Sequence, residues 1–489
     1  MGKLVTIVSA IFLATGGFLF GYDSGIISST LAQKHLLAYF GGGITDSEAG
    51  GIVSSFTGGA ILGCLVVSFL ADWIGRRMTV FTGSVIAVLG SAIQAGATSI
   101  AMLIAGRLIA GFAIGILSAV VPMYCSEIAQ AEIRGALSGL LQWMLSWGFF
   151  VAQWLGYGCS HVDGHFQWRF PLAFQVLPAL IMCGGIWFLQ ESPRWLIEKE
   201  RYEEARQVLS KLHGDGNNQD ILELEFQEIR DTIVADRSLD IVPWKAIFTR
   251  ATWRRRLLLG CGVQAFGQFS GVNVINYYGP RIYESLGISN QTSLMIIGIS
   301  GSFSIVYCTI GLWALERVGR VKPLIFSATG CGLSLVVNAA LSSYLPSDDN
   351  NQLRAMVAMI FCFSFFFTMT GIISWVYPAE IFPIEIRAKG NSIATFVNWS
   401  LNLVFAQVSP IAFTAMGFRY FFIFFVFNII AALSYIFLYP ETSGRTLEQM
   451  DELFGDQIIP HAMKEPEAAA KVMASTLEDT HQDEKKTEV

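Results

Sequence analysis

The chain has 489 residues, 53% of them hydrophobic and 13% aromatic, with 14% charged and a formal net charge of −6. A soluble protein carries about a quarter charged residues, so this composition excludes an ordinary soluble enzyme and marks a membrane protein. The small net charge leaves no basic footprint for a nucleic-acid partner, and the eight cysteines lie in or beside apolar runs without the paired spacing of a metal site.

Runs of about 20 apolar residues, enough to cross a bilayer as a helix, fall at 5–29, 50–71, 78–98, 101–124, 137–158 and 171–190. After a polar stretch they resume at 257–283, 292–315, 323–344, 355–378, 392–416 and 418–439. The pattern predicts an all-α membrane protein of twelve spans: a six-helix bundle over 1–190, a linker with short helices over 191–256, a second bundle over 257–439, and a polar, largely disordered tail over 440–489. The first run follows only Lys3 and has no convincing cleavage site, so it is kept as a span. In the linker, Glu198 to Leu212 and Ile221 to Val234 are amphipathic and rich in charge pairs, which predicts two helices joined by a flexible Gly214 to Asp220. Placing both ends on one side gives that side roughly 26 of the 32 Lys and Arg, so both termini are expected in the cytoplasm.

Short charged phrases recur between the halves. Asp72-Trp73-Ile74-Gly75-Arg76-Arg77 is echoed by Glu316-Arg317-Val318-Gly319-Arg320. Tyr124, Glu127 and Arg134 return at a constant offset as Tyr377, Glu380 and Arg387, and Glu191-Ser192-Pro193-Arg194 is answered by Glu441-Thr442-Ser443-Gly444-Arg445. This period suits a duplicated membrane half, being far longer than a solenoid unit. Arginine forks beside carboxylates at the membrane edge can latch a conformation. Asp72 with Arg76 and Arg77, Glu127 with Arg134, Glu316 with Arg320, and Glu380 with Arg387 therefore predict a ring of pairs linking the bundles at a cytoplasmic gate. Anchors that only set orientation are the alternative.

Inside the spans, polar side chains need partners. Gln142, Gln264, Gln268, Asn273, Asn276, Asn398 and Asn402 are the amides expected near mid-membrane, and Gln264/Gln268 and Asn398/Asn402 each share a helical face. They read either as a site for a ligand rich in hydroxyls or as helix–helix contacts. Asp23 in the first span and Arg107 in the fourth can pair across the N-terminal bundle. Protonating Asp23 would then release Arg107, which couples a proton to packing; a purely structural ion pair is the other reading. No nucleophile–base pair, metal cluster or phosphate loop appears, so neither enzyme chemistry nor a cofactor is expected.

These phrases, together with Pro122-Met123-Tyr124, Arg134-Gly135, Gln268-Phe269-Ser270-Gly271-Val272-Asn273, Tyr277-Tyr278 and Pro440-Glu441-Thr442-Ser443-Gly444-Arg445-Thr446, resemble the sugar porter family of the major facilitator superfamily over about residues 10–455. Gly156-Tyr157-Gly158-Cys159 is most similar to fungal hexose-transporter-like members. The resemblance implies two bundles rocking about a central site in the plasma membrane, with a sugar-like solute and a proton as partners. It matches Gln142, Gln264, Gln268, Asn273, Trp375 and Asn402 to sugar-contacting positions, and Asp23 with Arg107 to the arrangement of symporters. The sequence departs from the family pattern at Trp73 and Val321 in the latches, and at Gly267, Ser304 and Thr370-Gly371-Ile372-Ile373-Ser374 in the site. The departures imply weaker latches and leave room for another cargo, such as a sugar acid, a polyol or a secondary metabolite. A sensor that binds sugar without moving it is the rival from another class, against which the short tail argues.

Overall fold

Helices form the regular structure among the described residues of the computed structural model, which are 2–31, 33–40, 46–130, 133–214, 219–237, 243–273, 275–276, 290–343, 350–445 and 449–455. Nine helices among them are long and apolar enough to cross a membrane. The helices Arg134–Cys159, Ala251–Phe269 and Ile384–Met416 complete the twelve spans. These three carry the amides or arginines that dilute their apolar character.

Small residues let the helix backbones approach closely. Gly59 and Gly63 of the second span lie against the carbonyls of Leu108 and Phe112 in the fourth, while Gly111 and Gly115 lie against those of Phe56 and Ala60. A Cβ at any of these four would collide with backbone, so the pair packs as interleaved small-xxx-small faces. The second span also packs on the eleventh, and the fifth on the eighth, joining the N-terminal to the C-terminal helices.

Four predicted elements differ from what forms, the sixth span among them, which runs as Phe166–Phe174, Val176–Gly185 and a 3-10 turn Ile186–Phe188. The first span breaks at Ala14 into Gly2–Leu13 and Thr15–Leu31. The expected single helix from Glu198 is two, Pro193–Glu198 and Tyr202–His213. Ser192 caps the first of them, which closes where Arg201 N–H donates to Leu196 C=O and Glu200 adopts a φ of 62°. That is a left-handed helix stop made without glycine, so composition gave no sign of it. The seventh span does not run unbroken: after Phe269 the chain turns at Ser270-Gly271, with Gly271 at φ +96°. The predicted disordered tail beyond 455, the Tyr277-Tyr278 pair and most of the Gly214 to Asp220 joint lie outside the described residues.

The linker helices pack beneath the first bundle. The Thr6 hydroxyl donates to Leu212 C=O at 2.9 Å, and buried His213 lies 3.0 Å from Ile128 C=O and 2.9 Å from the Glu225 carboxylate. Beneath the second bundle, Arg256 at the start of the seventh span pairs with Asp451 of the helix Met450–Phe454 at 2.7 Å.

Candidate functional site

The charged face is built twice from the same parts. Arg76 opens the third span, buried, and its Nε and Nη2 hold both oxygens of Glu127 at 2.9 and 3.1 Å. Arg320 opens the ninth span and holds Glu380 at 3.3 and 2.8 Å. In front of each arginine a carboxylate turns inward onto the free N–H groups of the helix start. Glu191 accepts from the backbone of Arg76 and Arg77 at 3.0–3.2 Å, and Glu441 from that of Arg320 and Val321 at 2.9–3.0 Å. Such carboxylates satisfy groups that a helix leaves unpaired and suit its positive end. The preceding glycines make room: Gly75 and Gly319 sit at φ +88° and +90°, and a Cβ on either would lie 2.5 Å from a glutamate oxygen. Tyr124 donates to Gln190 C=O, and Tyr377 to Pro440 C=O.

The partners differ from the predicted ring. Arg387 reaches across to Glu127, at 3.4 Å, instead of pairing with Glu380 along its own chain segment. Arg320 is 4.0 Å from Glu316 and 2.8 Å from Glu380, so the long-range carboxylate is the nearer partner. Asp72 lies 3.7 Å from Arg76. The Arg77 guanidinium turns away from Asp72 to donate to Leu189 C=O at 3.3 Å and to cover Trp187. The Arg134 side chain lies outside the described residues. Sequence reasoning missed Lys389, whose Nζ is 2.5 Å from Asp72 across the two halves, and Ser392, whose hydroxyl donates to Cys64 C=O. The role of Glu191 and Glu441 at the helix starts was signalled only by their recurrence in the repeated phrase.

At the centre, Arg107 donates to Asp23 at 2.9 Å and to Ile52 C=O at 2.9 Å, with Phe56 against its guanidinium. Both charges are buried, so each depends on the other for solvation. Across from them, Gln264, Gln268, Asn273, Asn398 and Asn402 come together, and mostly bond to one another. Asn398 donates to Gln264 at 2.5 Å, Asn273 to Gln268 at 2.5 Å, and Asn402 to Asn273 at 3.3 Å. The break at Ser270-Gly271 is what folds Asn273 back onto Gln268. Gln142 lies apart, half-buried on the fifth span against Gly371 of the tenth. Trp375 meets Phe20 of the first span edge to face, with centroids 6.2 Å apart. Asn276, expected among these amides, is exposed beyond the break. Ser304 donates to Ser146 at 3.0 Å, across the fifth and eighth spans.

Among the described residues no group of His, Cys, Asp and Glu is arranged to hold a metal ion. The arrangement offers a buried ion pair in one half, an amide cluster in the other and a charged face with ion pairs between the halves.

Comparison with known proteins places this geometry. The family model "Sugar (and other) transporter" matches residues 9–454. The MFS-type transporter criB of Aspergillus cristatus is 38% identical over 94% of this chain and 96% of its own. A high-affinity glucose transporter of Kluyveromyces lactis is 32% identical over 90% of this chain and 84% of its own. The MFS proton:xylose symporter XylE bound to 6-bromo-6-deoxy-D-glucose superposes with a TM-score of 0.82 at 25% identity, covering 92% of this chain and 100% of that one.

Proposed function

Because the chain belongs to the sugar (and other) transporter family, we propose that it moves a monosaccharide, hexose or pentose, across the fungal plasma membrane by alternating access, with a proton as coupled ion. It is a multi-pass membrane transporter and not an enzyme. In this reading both termini are cytoplasmic and the charged face is the cytoplasmic gate, held shut by Arg387–Glu127 and Lys389–Asp72. Gln142, Gln268, Asn273, Asn402 and Trp375 meet the solute between the halves.

The observation that carries the reading is the buried Asp23–Arg107 pair at 2.9 Å, in the half opposite the amides. A proton on Asp23 removes the negative charge that Arg107 pairs with and changes which packing of the first and fourth spans is favoured, and that is how a proton can bias a two-state carrier. The test is uptake of labelled glucose and xylose into proteoliposomes, with and without an inward proton gradient. Accumulation above the outside concentration only with the gradient supports symport, and Asp23→Asn should then leave equilibration at most. Accumulation that survives Asp23→Asn would overturn the coupling.

A second reading keeps the transport and changes the cargo to a sugar acid, polyol or secondary metabolite. Ser304 is engaged with Ser146, and Gly267 offers no side chain, so fewer groups remain for ring hydroxyls. Entry of neither sugar into vesicles holding folded protein would favour it.

A further inference from the structure

The tenth span carries Pro378 inside its helix. Proline has no N–H, so the carbonyl four residues earlier, that of Ser374, has no helical donor. Ser374 is buried, where an unpaired carbonyl is costly. The donor comes from another helix: Gln264 Nε2, on the seventh span, lies 2.8 Å from Ser374 C=O. The other end of the same amide, Oε1, accepts from Asn398 of the eleventh span at 2.5 Å. Gln264 is only 1% exposed. One side chain thus ties three spans together at the peptide that carries Trp375.

We infer that Gln264 is a positioning residue for Trp375 and not a ligand of the solute. It supplies the hydrogen bond that Pro378 removes, and so fixes the height and rotation of the helix segment that holds the indole against Phe20. This reassigns one of the positions matched by resemblance to sugar contact. It rests on the transport reading only for its uptake measurements.

The test compares four full-length proteins: wild type, Gln264→Leu, Pro378→Ala and the double variant. Alanine at 378 restores an N–H to the helix, so Ser374 C=O regains a partner and Gln264 becomes partly dispensable. In the wild-type background, Gln264→Leu should lower the midpoint of thermal unfolding in detergent and raise the KM for labelled sugar about tenfold, with a smaller change in kcat. In the Pro378→Ala background both losses should shrink, the KM rise to about threefold or less, the remainder reflecting the acceptor lost to Asn398. Losses of equal size in the two backgrounds would overturn the inference, because a direct solute contact does not depend on residue 378. A second measurement needs no change at 378. Across a series of singly deoxygenated glucoses, the Gln264→Leu loss should be uniform, whereas a loss that vanishes for one deoxy sugar would identify a direct contact and refute the positioning role. The unfolding comparison does not depend on cargo, so failure to carry either sugar would remove the monosaccharide reading while the coupling between 264 and 378 still decides the inference.

Discussion

The two copies of the charged phrase share almost every part, and among the described residues the ion pairs that reach across the molecule fall on the N-terminal copy. In both, an arginine at a helix start grips a buried glutamate, and a second glutamate covers the helix N-terminus. In the C-terminal copy Thr442 donates to Glu380 at 2.7 Å and Ser443 accepts from Arg320 at 2.9 Å, both within the same half. In the N-terminal copy Glu127 receives Arg387, and Asp72 receives Lys389, both from the other half. Duplication thus supplied two similar clamps, and the described ion pairs between the halves gather on the N-terminal one. The missing second arginine at Val321 costs the C-terminal clamp little, because Glu441 uses the backbone N–H of that residue.

The largest test of this difference is Glu127→Gln against Glu380→Gln. Each takes the nearest carboxylate from a buried arginine and should cost about 3–5 kcal/mol in stability. Only Glu127→Gln should also open the charged face, read as faster maleimide labelling of a cysteine placed at Ser126, a residue 3.5 Å from Ala379 C=O of the other half. Equal labelling in the two variants would erase the proposed division of labour.

Next in size are Gly75→Ala and Gly319→Ala. Both positions hold a backbone that side chains disfavour and both face a glutamate oxygen, so each should lose about 1–3 kcal/mol, in equal measure. Unequal melting shifts would show that the shared parts are not equivalent. Lys389→Ala should be milder, about 1 kcal/mol or less, since its pair with Asp72 is partly exposed. It should still raise labelling at position 126, which a purely local change would not do.

The smallest effect concerns pH. Burial holds the Glu198 carboxyl above its ordinary 4.5, with Asp72 and Glu127 adding to the shift against Arg76 and Lys199. The folded protein therefore favours the protonated form. The stability this contributes is complete below 4.5 and is lost as pH rises through the raised value. Glu198→Gln should flatten that part of the stability profile, and a profile unchanged by the substitution would dissociate Glu198 from the N-terminal clamp.

Much of this was legible in the sequence because a bilayer imposes a coarse rule. Apolar runs located the spans, and the rarity of charge inside them singled out Asp23 and Arg107, which meet. Pairings between helices were less legible. Lys389 and Asp72 are 317 residues apart, and nothing local marks them as partners. The amides at Gln264, Asn398 and Asn273 could be placed on faces, but their bonds to other amides depend on the break at Gly271 and on how the seventh span meets the eleventh. Glu200 shows the same limit on a smaller scale: a glutamate in a left-handed turn carries no compositional sign.

The three least apolar spans, Arg134–Cys159, Ala251–Phe269 and Ile384–Met416, bear on how the chain is made. A helix rich in amides or arginines enters lipid poorly by itself and gains by doing so beside a partner. The fifth span finds the first already in place, with Gly17 and Gly21 set against its Leu141 and Leu145. The seventh leans on the tenth and eleventh, which leave the ribosome after it. The N-terminal bundle can therefore settle during synthesis, while the C-terminal bundle must wait for its last helices before the seventh is fully sheltered from lipid.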